Sequence, residues 1–238
     1  MKYFKKITTG FNIHSDSVFR YGFKKDILIG AFLIIVLISI LFTRGELGNI
    51  PTYLNRNDVN AFDRWLMFPY NMLLDNIKFI LLALILALPI ISPLSRKIRS
   101  KTTMLTYGIM YGQAFIFTFG IRAILKNMID RYRPYMYFDC FPTVFDFHSS
   151  DFHRSFPSGT AALAFLPATF LSVTFSAEFP NSPWKMPIIV GSHILAAGIG
   201  ATRIFNGTHF LTDVLVGAVI GIFFGWLIPT LHKRENSV

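Results

Sequence analysis

Hydrophobic positions gather into six blocks, which run approximately from Ile27 to Thr43, Ile77 to Leu94, Thr103 to Leu125, Ser158 to Ala177, Met186 to Ala201 and Val214 to Leu231. A bilayer core takes roughly 20 mostly apolar residues per helix, so each block predicts a transmembrane helix. Pro89 and Pro93 in the second, Pro167 in the fourth and Pro187 in the fifth predict kinks or early ends.

The polar positions orient these spans. Residues 1–26 are mainly polar and carry Lys2, Lys5, Lys6, Lys24 and Lys25, which does not fit the short basic region of a cleavable signal peptide. A second basic group, Arg96, Lys97, Arg99 and Lys101, lies between the second and third spans, and His232-Lys233-Arg234 follows the sixth. The positive-inside rule puts all three groups in the cytoplasm, with both termini inside and loops 44–76, 126–157 and 202–213 outside. Within the first outer loop, Phe62, Trp65, Leu66, Phe68 and Met72 predict an interfacial helix over residues 49–76. Neither a repeat nor a linker divides the chain, so residues 1–238 read as one domain.

Composition agrees with the blocks. Only 15% of residues are charged and 53% are hydrophobic, against about 25% charged in soluble domains, which excludes a disordered or fibrous class. A net charge of +10 on so apolar a chain points to the membrane surface rather than to nucleic acid. The single Cys140 excludes an intramolecular disulfide and a cysteine metal cluster. The fold expected is all-α, an integral membrane bundle of six transmembrane helices.

Ionisable groups beside apolar spans are costly and default to a functional reading. Here they collect at the outer ends of the third to sixth spans. Lys126 and Arg133 are seven apart, which on a helix puts both on one face. They are either two cations converging on one anion or two basic groups snorkelling to the interface. Arg131 falls off that face and reads as a solvated or headgroup-facing charge. Pro157-Ser158-Gly159 opens the fourth span, where free amides and the helix dipole suit an anion, although Ser158 is equally an ordinary N-cap. His209 and Asp213 are four apart: either the carboxylate holds one imidazole nitrogen and leaves the other nucleophilic, or Asp213 complements the helix dipole while His209 faces water. One His and one Asp make a poor metal site. Taken together with Arg203, these groups describe a site at the outer membrane–water interface where phosphate is bound and attacked.

These residues resemble the three-part signature of the type 2 phosphatidic acid phosphatase family, which includes lipid phosphate phosphatases and shares its site with vanadium haloperoxidases. Lys126 and Arg133-Pro134 match its first motif, Pro157-Ser158-Gly159-Thr160 its second, and Thr202-Arg203, His209 and Asp213 its third, over residues 126–213. The resemblance implies that His209 becomes a phosphohistidine, that Asp213 orients it, that Lys126, Arg133 and Arg203 bind phosphate, and that Ser158 and Gly159 cradle it. It also implies a reaction without metal or cofactor, on a lipid phosphate in the bilayer.

Thr160 departs from the pattern, since the family has His there to protonate the leaving oxygen, and a Thr cannot do so at neutral pH. Three readings follow: an inactive enzyme; an acid supplied by His153, His148 or water; or a leaving group that needs little help. Water's pKa is about 15.7 and an alkoxide lies on that scale, whereas the second pKa of phosphate is about 6. The last reading biases the substrate toward a polyprenyl diphosphate or the anomeric phosphate of a glycolipid such as lipid A. A phosphotransferase passing the same phosphohistidine to a lipid or sugar hydroxyl is the alternative, and a noncatalytic lipid-phosphate binder is a third class. The short outer loops suit a bacterial inner membrane with a periplasmic site. The sequon Asn206-Gly207-Thr208 lies inside the proposed site, where a glycan would block it, and reads as a chance match.

Overall fold

The computed structural model describes residues 17–19, 22, 29–31, 38, 54–94, 100–138 and 152–233. Most of the first predicted span, His148, Cys140 and residues 96–99 lie outside the described residues.

Among the described residues there are no strands, and five helices are long and apolar enough to cross a membrane. They are α1 (Met72–Ala87), whose span continues through the turns after it to Pro93, α2 (Lys101–Met128), α3 (Gly159–Glu178), α4 (Lys185–Phe205) and α5 (Leu211–His232). Their starts follow from local chemistry. The Asn71, Ser100 and Ser158 side chains accept from the amides of Leu74, Thr103 and Ala161, supplying acceptors that a first helical turn lacks. Pro89 interrupts α1, which passes into a 3₁₀ turn over Leu88–Ile90 and a last turn over Ile91–Leu94. Pro187 sits in the first turn of α4, where its missing N–H breaks no bond, and Pro167 lies inside α3 without ending it.

Two expectations are corrected. The predicted interfacial helix over residues 49–76 is, over its described part from residue 54, instead a 3₁₀ turn (Arg56–Asp58), a single helical turn (Ala61–Arg64), an irregular stretch, and then α1, which begins five residues before Ile77. The first turn of α1 can hold charge because Asp75 is paired with Lys78 and Arg203. Secondly, α2 stops at Met128, so Lys126 and Arg133 do not share a helical face. Arg133 precedes Pro134, which disfavours helical geometry, and it is extended at φ −76°, ψ 150°.

The bundle is organised around α3. Of its most apolar window 67% is buried, against 11% for α1, which leaves Leu73, Phe79, Ile80 and Leu84 facing outward as a lipid-facing surface would require. Tyr107, Met110 and Phe117 of α2 close on Leu166 and Phe170 of α3 and Ile228 of α5. On another side, Ile85 of α1 and Ala196 and Ile199 of α4 close on Ala164 and Ala168. Lipid tails are as apolar as these side chains, so association in a bilayer rests on close packing. The α3–α5 seam achieves it with Gly217, Gly221 and Gly225. A Cβ at these positions would stand 2.3, 2.3 and 2.7 Å from the carbonyl oxygens of Ser158, Ala162 and Leu166. This ladder holds the N-terminus of α3 against the start of α5, where the Ser158 amide donates to the Asp213 carbonyl at 3.0 Å.

Candidate active site

The segment leading into α5 builds the centre of the site. His209 is buried, and its Nδ1 lies 2.7 Å from the carbonyl oxygen of Ser155. A carbonyl only accepts, so in the neutral imidazole Nδ1 carries the proton and Nε2 keeps its lone pair. Burial pushes the imidazole pKa down to about 3; Asp213 opposes the shift, and the positive charges of Arg133 and Arg203 reinforce it. His209 is therefore neutral at physiological pH.

Asp213 is placed differently from the sequence expectation. Its Oδ2 stands 3.8 Å from His209 Nδ1, outside hydrogen-bond range. Both its oxygens are taken: Oδ2 accepts from Ser155 Oγ at 2.5 Å and from the Phe210 amide at 2.9 Å, while Oδ1 accepts from Arg131 Nη1. Ser155 thus serves both residues, with its carbonyl on His209 and its hydroxyl on Asp213.

Arg131 is not the solvated charge that its place in the sequence suggests. Its other nitrogen, Nη2, lies 2.6 Å from Oδ2 of the fully buried Asp63, which also accepts from Thr212 N, Thr212 Oγ1 and Asn60 Nδ2 at 3.0, 2.7 and 2.8 Å. Burial alone would raise the Asp63 carboxyl, but the bonds from Thr212, Asn60 and Arg131 outweigh it and hold it below the usual carboxylate range. The backbone around Arg131 is pinned as well. The Arg131 and Arg133 amides donate to the carbonyls of His153 and Phe152, and the Ser155 amide donates to the Arg131 carbonyl, all at 2.9 Å.

Beside this network opens a cleft of ≈ 200 Å³. Lys126, Arg133, Gly159, Thr160, Arg203 and His209, all singled out in the sequence, line it together. Arg133 reaches it from the extended segment after α2, with Nη1 donating to the Thr208 carbonyl at 3.1 Å. Arg203 is 3% exposed and donates from Nη1 to Asp75 Oδ1 at 2.8 Å, while its buried Nε has no acceptor. Ser158 is not among the lining residues; its hydroxyl caps α3. Nor is His153, whose Nδ1 pairs with Asp130 Oδ1 at 2.7 Å. Asn206 of the sequon is buried and donates from Nδ2 to Asp75 at 3.1 Å, leaving no room for a glycan. Its neighbour Gly207 takes φ +71° with Phe68 and Pro69 packed where a side chain would project.

Sequence reasoning missed six lining residues: Tyr70 just before α1, Asp75 and Lys78 in its first turns, Arg122 of α2, Tyr135, and Thr208, which was read only as part of a chance sequon. Arg122 was within reach, since it lies four residues before Lys126 and so on the same face of an apolar helix. Asp75 was masked by the misread interfacial helix, and Lys78 by its place as the second residue of the predicted span from Ile77. Ser155 and Asp63 carry no local signal, because only tertiary folding brings them to Asp213. Among the described residues no three His, Cys, Asp or Glu side chains converge as metal ligands would.

Comparison with known proteins supplies the context. The model of the PAP2 superfamily matches residues 104–237. Phosphatidylglycerophosphatase B of Bacillus subtilis is 32% identical over 129 residues, covering 52% of this chain and 59% of that protein. The lipid A 1-phosphatase of Porphyromonas gingivalis is 38% identical over 74 residues, 31% of this chain and 15% of that one. The chain thus matches less than two thirds of the length of either relative. Among solved structures, a transmembrane PAP2 type phosphatidylglycerolphosphate phosphatase from Bacillus subtilis superposes with a TM-score of 0.52 at 20% identity, over 90% of this chain and 99% of that one, which establishes a shared fold.

Proposed function

The chain belongs to the PAP2 superfamily, and from that membership we propose that it is an integral membrane phosphatase that hydrolyses a lipid-linked phosphate through a phosphohistidine at His209. The observation that carries this reading is the bond from His209 Nδ1 to the Ser155 carbonyl, which leaves the Nε2 lone pair on a residue facing a cleft of cations. Lys126, Arg133 and Arg203 neutralise the phosphoryl oxygens, with the Arg203 Nε as one donor that the substrate satisfies. Nε2 attacks phosphorus in line while the bond to the leaving oxygen breaks on the opposite side. The imidazole becomes positive as the P–N bond forms, and Asp213 at 3.8 Å then offsets its charge. Water next attacks phosphorus, the P–N bond breaks, and phosphate departs.

Thr160 lines the cleft without offering an acid, which supports substrates whose leaving oxygen needs little help: a polyprenyl diphosphate, which leaves a phosphate, or a lipid A-type anomeric phosphate, whose oxygen is more acidic than an ordinary alcohol. The same reading takes residues 1–238 as one domain with a sixth span at 27–43, both termini cytoplasmic, in a bacterial inner membrane with the site on its periplasmic side. Lys101 at the start of α2 and His232-Lys233 at the end of α5, the helix ends away from the cleft, support that orientation.

The test is phosphate release by the protein in detergent from phosphatidic acid, phosphatidylglycerol phosphate, polyprenyl diphosphate and lipid A. Wild type releases phosphate fastest from one of the last two, and His209→Ala loses at least about 10³-fold in rate. Full turnover by His209→Ala would refute the mechanism.

A further inference from the structure

Gly159, the first residue of α3, has no side chain, and Arg122 of α2 occupies the space one would take. A Cβ there would stand 2.6 Å from Arg122 Nη1 and 2.8 Å from its Cδ. The guanidinium lies against the first turn of α3, with its Cζ 4.5 Å from the Phe119 ring centroid, and Arg122 shares the cleft wall with Thr160. A cation therefore stands in the neighbourhood where the resemblance expects the acid that this chain lacks.

The charges of the cleft point the same way. Among the described residues, Lys78, Arg122, Lys126, Arg133 and Arg203 line it, with one carboxylate, that of Asp75. A phosphomonoester brings about two negative charges, which Lys126, Arg133 and Arg203 can meet; a diphosphate brings about three, spread over two phosphorus centres. Of these cations Arg122 is the one that lies against Gly159 at the first turn of α3.

We infer that Arg122 is a specificity-determining residue that holds the phosphate that leaves, so that the cleft selects lipid diphosphates over lipid monophosphates. The inference rests on the phosphatase reading above. In the step, His209 Nε2 bonds to the terminal phosphorus while the bridging P–O bond breaks. The electron pair stays on the bridging oxygen, which becomes an oxygen of the departing lipid monophosphate, and Arg122 meets the added charge. No proton moves. With a lipid monophosphate the same pair would stay on an alkoxide, which needs a proton that Arg122, charged at any working pH, cannot give. Water then cleaves the P–N bond, releasing phosphate and restoring the imidazole.

The experiment measures kcat/KM for farnesyl diphosphate, farnesyl monophosphate and p-nitrophenyl phosphate, the last having a good leaving group and no second phosphate. Wild type should prefer the farnesyl diphosphate to the monophosphate by at least about 10²-fold, the scale of an acid's contribution. Arg122→Gln should lower the diphosphate value by about 10- to 100-fold and that for p-nitrophenyl phosphate by less than about 3-fold, with Arg122→Lys between wild type and Gln on the diphosphate. Equal losses on diphosphate and p-nitrophenyl phosphate, or a wild-type preference for the monophosphate, would overturn the inference while His209→Ala still abolished turnover. Turnover of p-nitrophenyl phosphate that survives His209→Ala would overturn the phosphatase reading, and this inference with it.

Discussion

Two groups of charges sit side by side at this end of the bundle, and they are built on opposite plans. Around Asp213, every charge is answered: Arg131 spans Asp213 and Asp63, and Ser155, Thr212, Asn60 and the Phe210 amide take the remaining carboxylate positions. Across the cleft wall, among the described residues, five cations line a cleft with one carboxylate, and the buried Nε of Arg203 has no acceptor. A saturated buried network holds geometry, and the loss of either partner from such a pair is costly. An unbalanced one awaits an anion. Motif spacing marks Arg133 for the cleft, but nothing in the sequence assigns Arg131, two residues earlier, to the buried carboxylates of Asp63 and Asp213.

Removing one arginine from each group breaks the comparison most sharply. Arg131→Ala strands two buried carboxylates and should lower stability by about 3 kcal/mol, read as a drop in Tm in detergent. Arg131→Lys should recover little, because an ammonium cannot fork between Asp63 and Asp213. Arg203→Gln should leave Tm nearly unchanged, since Asp75 keeps Lys78, Asn206 and Tyr70, yet it should cost about 10²- to 10³-fold in kcat/KM. If the two variants exchanged these signatures, the division would be wrong.

A smaller effect sharpens how the two groups are held together. Gly221→Ala puts a methyl 2.3 Å from the Ala162 carbonyl and should cost about 2 kcal/mol by prising α3 from α5. Because the seam carries Gly159 and Thr160 beside His209, activity should fall with stability in this variant. Activity unaffected by the loss of Tm would mean that the ladder does not set the site.

The smallest effect concerns protons. His209 has a pKa of about 3 in the fold against 6.5 when unfolded, so between these values the unfolded chain binds the extra proton. Its contribution is complete above pH 6.5 and is lost as pH falls toward 3, at up to about 1.4 kcal/mol per unit. Tm should therefore decline between pH 6.5 and 5 in wild type and decline less steeply in His209→Asn. Parallel profiles would show that the imidazole is not held neutral by its surroundings.

Much of this arrangement was legible in the chain. Hydropathy located the ends of α2 to α5 to within four residues, because helices facing lipid cannot hide their apolar faces. The spacing of the motifs identified Lys126, Arg133, Arg203 and His209, although the helical face invoked for the first two does not exist. Pro134 carried the signal that would have corrected it, since the residue before a proline is pushed to extended geometry. The glycines at 217, 221 and 225, four apart, were equally readable as a close-packing stripe. What could not be read were the partners distant in sequence. Asp63 reaches Arg131 across 68 residues and Asp75 reaches Arg203 across 128, and nothing local marks either.

The central claim is that the neutral Nε2 of His209 takes the phosphoryl group, and quenched turnover with a lipid diphosphate labelled at its terminal phosphorus tests it most directly. Wild type should carry label on His209, stable in alkali and lost in acid, and the label should disappear in His209→Ala and persist in folded Asp213→Asn. Steady turnover with no label on the protein at any quench time, or label that survives in His209→Ala, would contradict the account.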